Sequence, residues 1–103
     1  MNREERLVPN GIPRYVRLYD NNGEYTDRYT VVFTRLNCGY CIYASFNNNP
    51  FHPSHGFYQH GEFEKMIDRP KYSHLGKRIK FQDLNDDCQM AVMQDYKVVW
   101  RLK

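Results

Sequence analysis

Residues 47 to 62 read NNNPFHPSHGFYQHGE, and neither a helix nor a central strand runs through such a stretch. Pro50 and Pro53 lack backbone donors, and Gly56 and Gly61 relax the chain, so the polypeptide leaves regular structure here. Three of the four histidines and three aromatic rings fall within these sixteen residues. That density of rings argues for an ordered loop, and ordered loops of this length in a small domain are usually functional. The stretch divides the chain into a strand-rich first half and a second half that ends in a helix.

In the first half, residues 1–13 form a charged arm that is expected to be extended, closing in the turn-rich run Pro9, Asn10, Gly11 and Pro13. Tyr15 to Tyr19 reads as a strand. Asp20-Asn21-Asn22-Gly23 is a hairpin signal, and the return strand begins near Tyr25 and is clearest from Arg28 to Thr34. A second hairpin pairs Tyr29–Leu36 with Cys41–Phe46 through Asn37-Cys38-Gly39-Tyr40, with Ile42, Ala44 and Phe46 on one face and Tyr43 and Ser45 on the other.

In the second half, Glu62 to Ile67 is expected to make one helical turn. Arg78-Ile79-Lys80-Phe81 alternates as a short edge strand whose charges discourage wrong pairing. The last element is a helix capped by Asn85, with Asp86 and Asp87 in its first turn and an inward stripe of Leu84, Cys88, Ala91, Val92 and Val99, flanked by Tyr96 and Trp100. Asp95 lies close to that stripe and needs a partner. The expected fold is one α+β domain over residues 1–103: a small antiparallel sheet of two hairpins and an edge strand, covered by the C-terminal helix.

Two local motifs suggest chemistry. The segment VVFTRLNCGYCIYASF resembles the active-site segment of glutaredoxins, which requires a helix starting at the second cysteine. Asn47-Asn48-Asn49-Pro50 follows too soon for that helix, and Pro70 is preceded by Arg69 rather than a small residue, so the sequence context argues against redox catalysis. Cys38 and Cys41 at a hairpin tip also match half of a zinc knuckle, which His52 and His55, or His60, would complete. The missing second Cys-x-x-Cys argues against it, and no cofactor is expected. Three cysteines, the lack of an apolar run at the N-terminus and the lack of any window of about 18 apolar residues lead to the expectation of a cytoplasmic protein without a membrane partner.

Several runs carry a wider resemblance: Asn10 to Arg17, Asp27 to Thr34, Asn49 to Pro53, Gln59 to Gly61 and His74 to Lys77. They resemble an uncharacterised family of short proteins encoded on phages, plasmids and related elements. The resemblance implies a mobile-element accessory protein and brings no activity or site residues with it.

The candidate site is therefore read from the residues. A net charge of +3 is too mild for a dedicated duplex-DNA binder. Phe51, Phe57 and Tyr58 offer stacking surfaces, with His52, His55, His60 and His74 beside them. The basic run Arg69, Lys71, Lys77, Arg78 and Lys80 would meet phosphates. The same aromatic and arginine-rich surface suits a protein partner. The favoured reading is a non-enzymatic binding protein acting on a protein or nucleic acid through loop 47–62 and segment 69–80. The alternative is a small phosphodiester hydrolase, with or without an assisting metal, using His52, His55, His60 and Glu62.

Overall fold

The computed structural model describes residues 3–24, 27–35, 40–53, 56, 61–64 and 75–102, with backbone only for residues 40, 41 and 61–64. Strand β1 (Val16–Asp20) pairs antiparallel with β2 (Tyr29–Phe33), Val16 opposite Phe33 and Asp20 opposite Tyr29. The Asn-Gly signal marks the turn, in a connection longer than a two-residue hairpin. Asn22 and Gly23 both adopt positive φ, and the Asp20 and Asn21 side chains accept from the amides of Asn22 and Gly23 at 2.7 and 3.0 Å. The strand β2 begins at Tyr29 instead of near Tyr25.

Strand β3 (Tyr40–Phe46) pairs with β2 in the register Tyr29 opposite Phe46 and Phe33 opposite Ile42. Cys41 thus sits in a strand, with no helix N-terminus there to activate it. Strand β4 (Gly61–Glu64) adds to the free edge of β3, Ile42 opposite Glu62. This corrects two expectations: Gly61 and Glu62 belong to the sheet rather than to loop 47–62, and Glu62–Glu64 is extended rather than helical. Strand β5 (Lys77–Ile79) pairs antiparallel with β1 on the opposite side, giving the order β4-β3-β2-β1-β5. The expected edge strand therefore forms, and it stops two residues early. Phe81 turns inward from a 3-10 turn over Phe81–Asp83, where the Asp83 carboxylate accepts the Lys80 amide at 2.9 Å.

The N-terminal arm is not extended. Arg3–Leu7 forms a short helix, α1, followed by a 3-10 turn over Pro9–Gly11. A five-residue helix does not hold itself together in water. Tertiary contacts hold this one: Leu7 is buried in the core, and its carbonyl accepts from the Arg14 amide at 2.8 Å and the Tyr96 hydroxyl at 2.9 Å.

Helix α2 (Asp86–Trp100) starts as its sequence dictates, with the Asn85 carboxamide oxygen accepting the Cys88 amide at 2.8 Å. It ends on Arg101, whose left-handed φ of 55° lets the Leu102 amide reach the Lys97 carbonyl at 2.8 Å. Its buried residues Cys88, Val92 and Tyr96 cover the face of the sheet formed by Leu18, Tyr29, Val31, Phe33, Ala44 and Phe46, and Ala91 is buried as well. Tyr96 is fully buried at the centre of this contact, not on its flank. Each large apolar side chain buried here contributes roughly 1.5–3 kcal/mol, which makes the α2–sheet contact the main source of stability. The other face of the sheet carries a smaller cluster of Tyr19, Val32 and Leu75 with Tyr43 against it, so every residue of β2 is buried. Among the described residues, no helix is long and apolar enough to cross a membrane.

Candidate functional site

The first part of the aromatic loop is a fixed shelf on α2. The Asn47 side chain accepts the Asn49 amide at 2.8 Å, and the His52 amide reaches the Asn49 carbonyl at 3.1 Å. Gly56 closes the segment, donating to the His52 carbonyl and accepting from the Asn47 amide, both at 3.2 Å. A Cβ on Gly56 would overlap the Pro50 carbonyl, so only glycine fits. Two bonds tie the shelf to the helix. The Asn85 amide nitrogen donates to the Asn48 carbonyl at 3.1 Å, and the Cys88 thiol donates to the Asn47 carbonyl at 3.4 Å. Asn85 thereby caps α2 with its oxygen and holds the loop with its nitrogen. Burial pushes the Cys88 thiol up to about 11, so it stays protonated and donating near neutral pH.

This fixation buries Pro50 and leaves Phe51 46% exposed beside α2. Pro50 and Phe51 form one wall of a groove of about 330 Å³, and Ala91, Gln94, Asp95 and Val98 form the other. The four helix positions share a face because residues three, four and seven apart stack along an α-helix. Val98 is 68% exposed, so the groove presents apolar surface at both rims with one carboxylate between them.

Of the sequence candidates, Phe51 and His52 are exposed on this shelf, and Lys77, Arg78 and Lys80 are exposed along and just beyond β5. Glu62 is placed by its backbone in β4 and Cys41 by its backbone in β3. Cys38, His55, Phe57, Tyr58, His60, Arg69, Lys71 and His74 lie outside the described residues, and so do the expected convergence of histidines and the zinc set. Among the described residues, no group of three or more His, Cys, Asp or Glu is placed to hold a metal ion.

Two sets of residues were not singled out from the sequence. One is the helix wall of the groove, whose signal was the apolar run Val98-Val99-Trp100, wider than a single buried stripe. The other lies at the C-terminal end of α2, where Arg3, Arg6, Arg14, Tyr15 and Trp100 line a second cavity of about 440 Å³. Tyr15 stands there at φ 61° and Arg35 at φ 64°, in the left-handed region that costs an ordinary residue on the order of 1–2 kcal/mol. Thr34 secures the Tyr15 conformation, donating to its carbonyl from the amide at 2.8 Å and from the hydroxyl at 2.9 Å.

No family model matches the chain, and no curated protein or solved structure matches it.

Proposed function

We propose that the protein is a non-enzymatic accessory binding protein of a phage or plasmid that holds a partner protein in the groove between loop 47–53 and α2. The observation that carries this reading is the preformed pairing of two exposed apolar side chains, Phe51 and Val98, across a groove whose loop is bonded to the helix at Asn48 and Asn47. Exposed aromatic anchors on a rigid base lose little entropy on binding, which is how small interfaces gain affinity. Among the described residues the groove is lined by Asp95 and by no lysine or arginine, which disfavours a polyanion there and favours a basic side chain beside an apolar one. The mobile-element origin rests on the sequence runs from Asn10 to Lys77 described above.

Selection from a random peptide library on the immobilised protein tests this. Enriched peptides should carry an apolar residue next to lysine or arginine. Their affinity should fall at least about tenfold with Phe51→Ala, a typical anchor loss. Enrichment without that pattern, or peptides indifferent to Phe51→Ala, would reject the reading.

A further inference from the structure

The cavity at the C-terminal end of α2 carries an independent set of observations. Among the described residues, three guanidinium groups, from Arg3, Arg6 and Arg14, line it against one carboxylate, Glu5. The neighbouring acid of α1, Glu4, lies 3.9 Å from the Lys97 ammonium, where it pairs outside the cavity. No hydrogen bond or ion pair engages the Arg6 and Arg14 guanidinium groups among the described residues. Cations gathered this way repel one another, and an anion held between them relieves that repulsion. The planar fork of arginine matches phosphate oxygens two at a time.

The same cavity holds two half-buried aromatic rings. Tyr15 and Trp100 have centroids 6.3 Å apart at an interplanar angle of 41°. A guanidinium lies over each: Arg35 at 4.6 Å from the Tyr15 centroid and Arg3 at 5.7 Å from the Trp100 ring. The Trp100 indole nitrogen is buried and meets no acceptor among the described residues. Backbone strain at Tyr15 and Arg35 persists only where the surroundings enforce it, and such residues gather at ligand sites. The volume of about 440 Å³ falls within the range of small-molecule sites and is too small for a duplex.

We propose that this cavity binds a nucleotide unit, the arginines Arg6 and Arg14 taking its phosphate and the Tyr15–Trp100 pair meeting its base. Arginine with aromatic rings is the combination by which single nucleic-acid strands are held, and an acidic peptide would use the arginines while leaving the rings idle. The unit comes either as a free nucleotide or as part of a single strand, and the two sources share this chemistry. The site is separate from the Phe51 groove and stands whether or not that groove binds a protein.

Trp100 is the one tryptophan of the chain, so its fluorescence reports on the cavity directly. The full chain is titrated with adenosine monophosphate, inorganic phosphate, polyglutamate and a short single-stranded oligodeoxythymidylate. The proposal expects saturable changes with the nucleotide, at least about tenfold weaker binding of inorganic phosphate, and a loss of about tenfold or more in Arg6→Gln/Arg14→Gln. Both arginines are exposed, so the double variant keeps its fold. Tyr15→Gly separates base from phosphate: glycine accepts the positive φ, and nucleotide affinity should fall while phosphate affinity holds. Tighter binding of the oligonucleotide with a steep salt dependence identifies a strand as the source, and equal or tighter binding of the monophosphate identifies the free nucleotide. Phosphate or polyglutamate binding as strongly as the nucleotide would overturn the proposal. So would an unaffected arginine double variant, or no saturable change with either nucleotide probe.

Discussion

The Tyr96 hydroxyl donates to the Leu7 carbonyl at 2.9 Å, joining residues 89 positions apart in the chain. That carbonyl also accepts the Arg14 amide, so one oxygen ties together α1, the approach to β1 and α2. The second cavity exists because of this junction: it places Arg3 and Arg6 beside Arg14 and Trp100. Tyr96→Phe keeps the packing and removes one bond, with an expected cost of about 1 kcal/mol. Since α1 is too short to stand alone, the loss should be local. Hydrogen exchange at the Val8 amide, bonded to Glu4 at 2.8 Å, should accelerate more than exchange in α2. Equal acceleration in both would show that the bond does not specifically retain α1.

Alkaline pH attacks the same core. Burial raises the Cys88 thiol from 9.0 to about 11 and raises the Tyr96 and Tyr29 hydroxyls above their ordinary 10.0. A group whose folded pKa is raised contributes stability that is complete below its unfolded pKa and is lost as pH climbs through the folded one. Stability should therefore begin to fall above about pH 9, with Cys88 responsible for the first part of the decline up to about pH 11. Cys88→Ala lowers stability at neutral pH by roughly 1–2 kcal/mol through the small cavity it leaves. Its denaturation free energy should then stay flatter than that of the wild type from about pH 9 to 10. A decline of the same slope in the variant would assign the effect to other groups.

Two neighbouring carboxylates at the first turn respond to pH in opposite senses. Asp20 is held below the usual carboxylate range, chiefly by hydrogen bonds from Arg28, whose Nε and Nη2 meet its two oxygens at 2.8 and 3.0 Å. Asp27 is raised by burial, and its Oδ1 has no hydrogen-bond partner among the described residues. Asp20 thus adds stability above its unfolded pKa that disappears in acid, whereas ionised Asp27 subtracts stability above about pH 4. Arg28→Lys should lower stability at pH 7 and shrink the loss on acidification, since an ammonium lacks the planar fork that meets both carboxylate oxygens. Asp27→Asn should raise the melting temperature at pH 7 and lose that advantage near pH 3. Urea titrations of both variants at the two pH values check the signs.

The parts of the fold that were legible in the sequence rest on local rules. Asn85 announced the start of α2 through its cap, and the alternation of Ile42, Ala44 and Phe46 announced the inward face of β3. The parts that were not legible depend on partners distant in sequence. Gly61–Glu64 carries no strong strand pattern and is a strand because the edge of β3 is open to it. Arg3–Leu7 is helical because Leu7 finds Tyr96. Phe51 stood out as a ring in the loop, but its companion Val98 lies outside the inward stripe that the periodicity marks, and only the fold of the loop onto α2 brings the two together. The arginines at 3, 6, 14 and 35 form no run, and only the Leu7 junction and the strained residues Tyr15 and Arg35 bring them to one place.

Gly56 offers a way to separate the shape of the groove from its chemistry. Its φ is not the reason for glycine; the reason is space, since a Cβ would overlap the Pro50 carbonyl and crowd that of Asn49. Gly56→Ala must push the Pro50–Phe51 wall away from α2 or strain the bonds that Gly56 makes to Asn47 and His52. The expected cost is roughly 1–3 kcal/mol, as for other overpacked sites, together with loss of peptide binding in the Phe51 groove. Phe51→Ala removes the anchor alone, and because that ring is 46% exposed its stability should stay within about 0.5 kcal/mol of wild type. Both variants should keep the nucleotide response of Trp100, because Phe51 and Gly56 line no part of that cavity. Thermal denaturation read beside peptide and nucleotide titrations distinguishes the cases. An unchanged melting temperature and unchanged peptide affinity in Gly56→Ala would mean that the loop does not pack on α2 in solution, and the groove would then lose its wall.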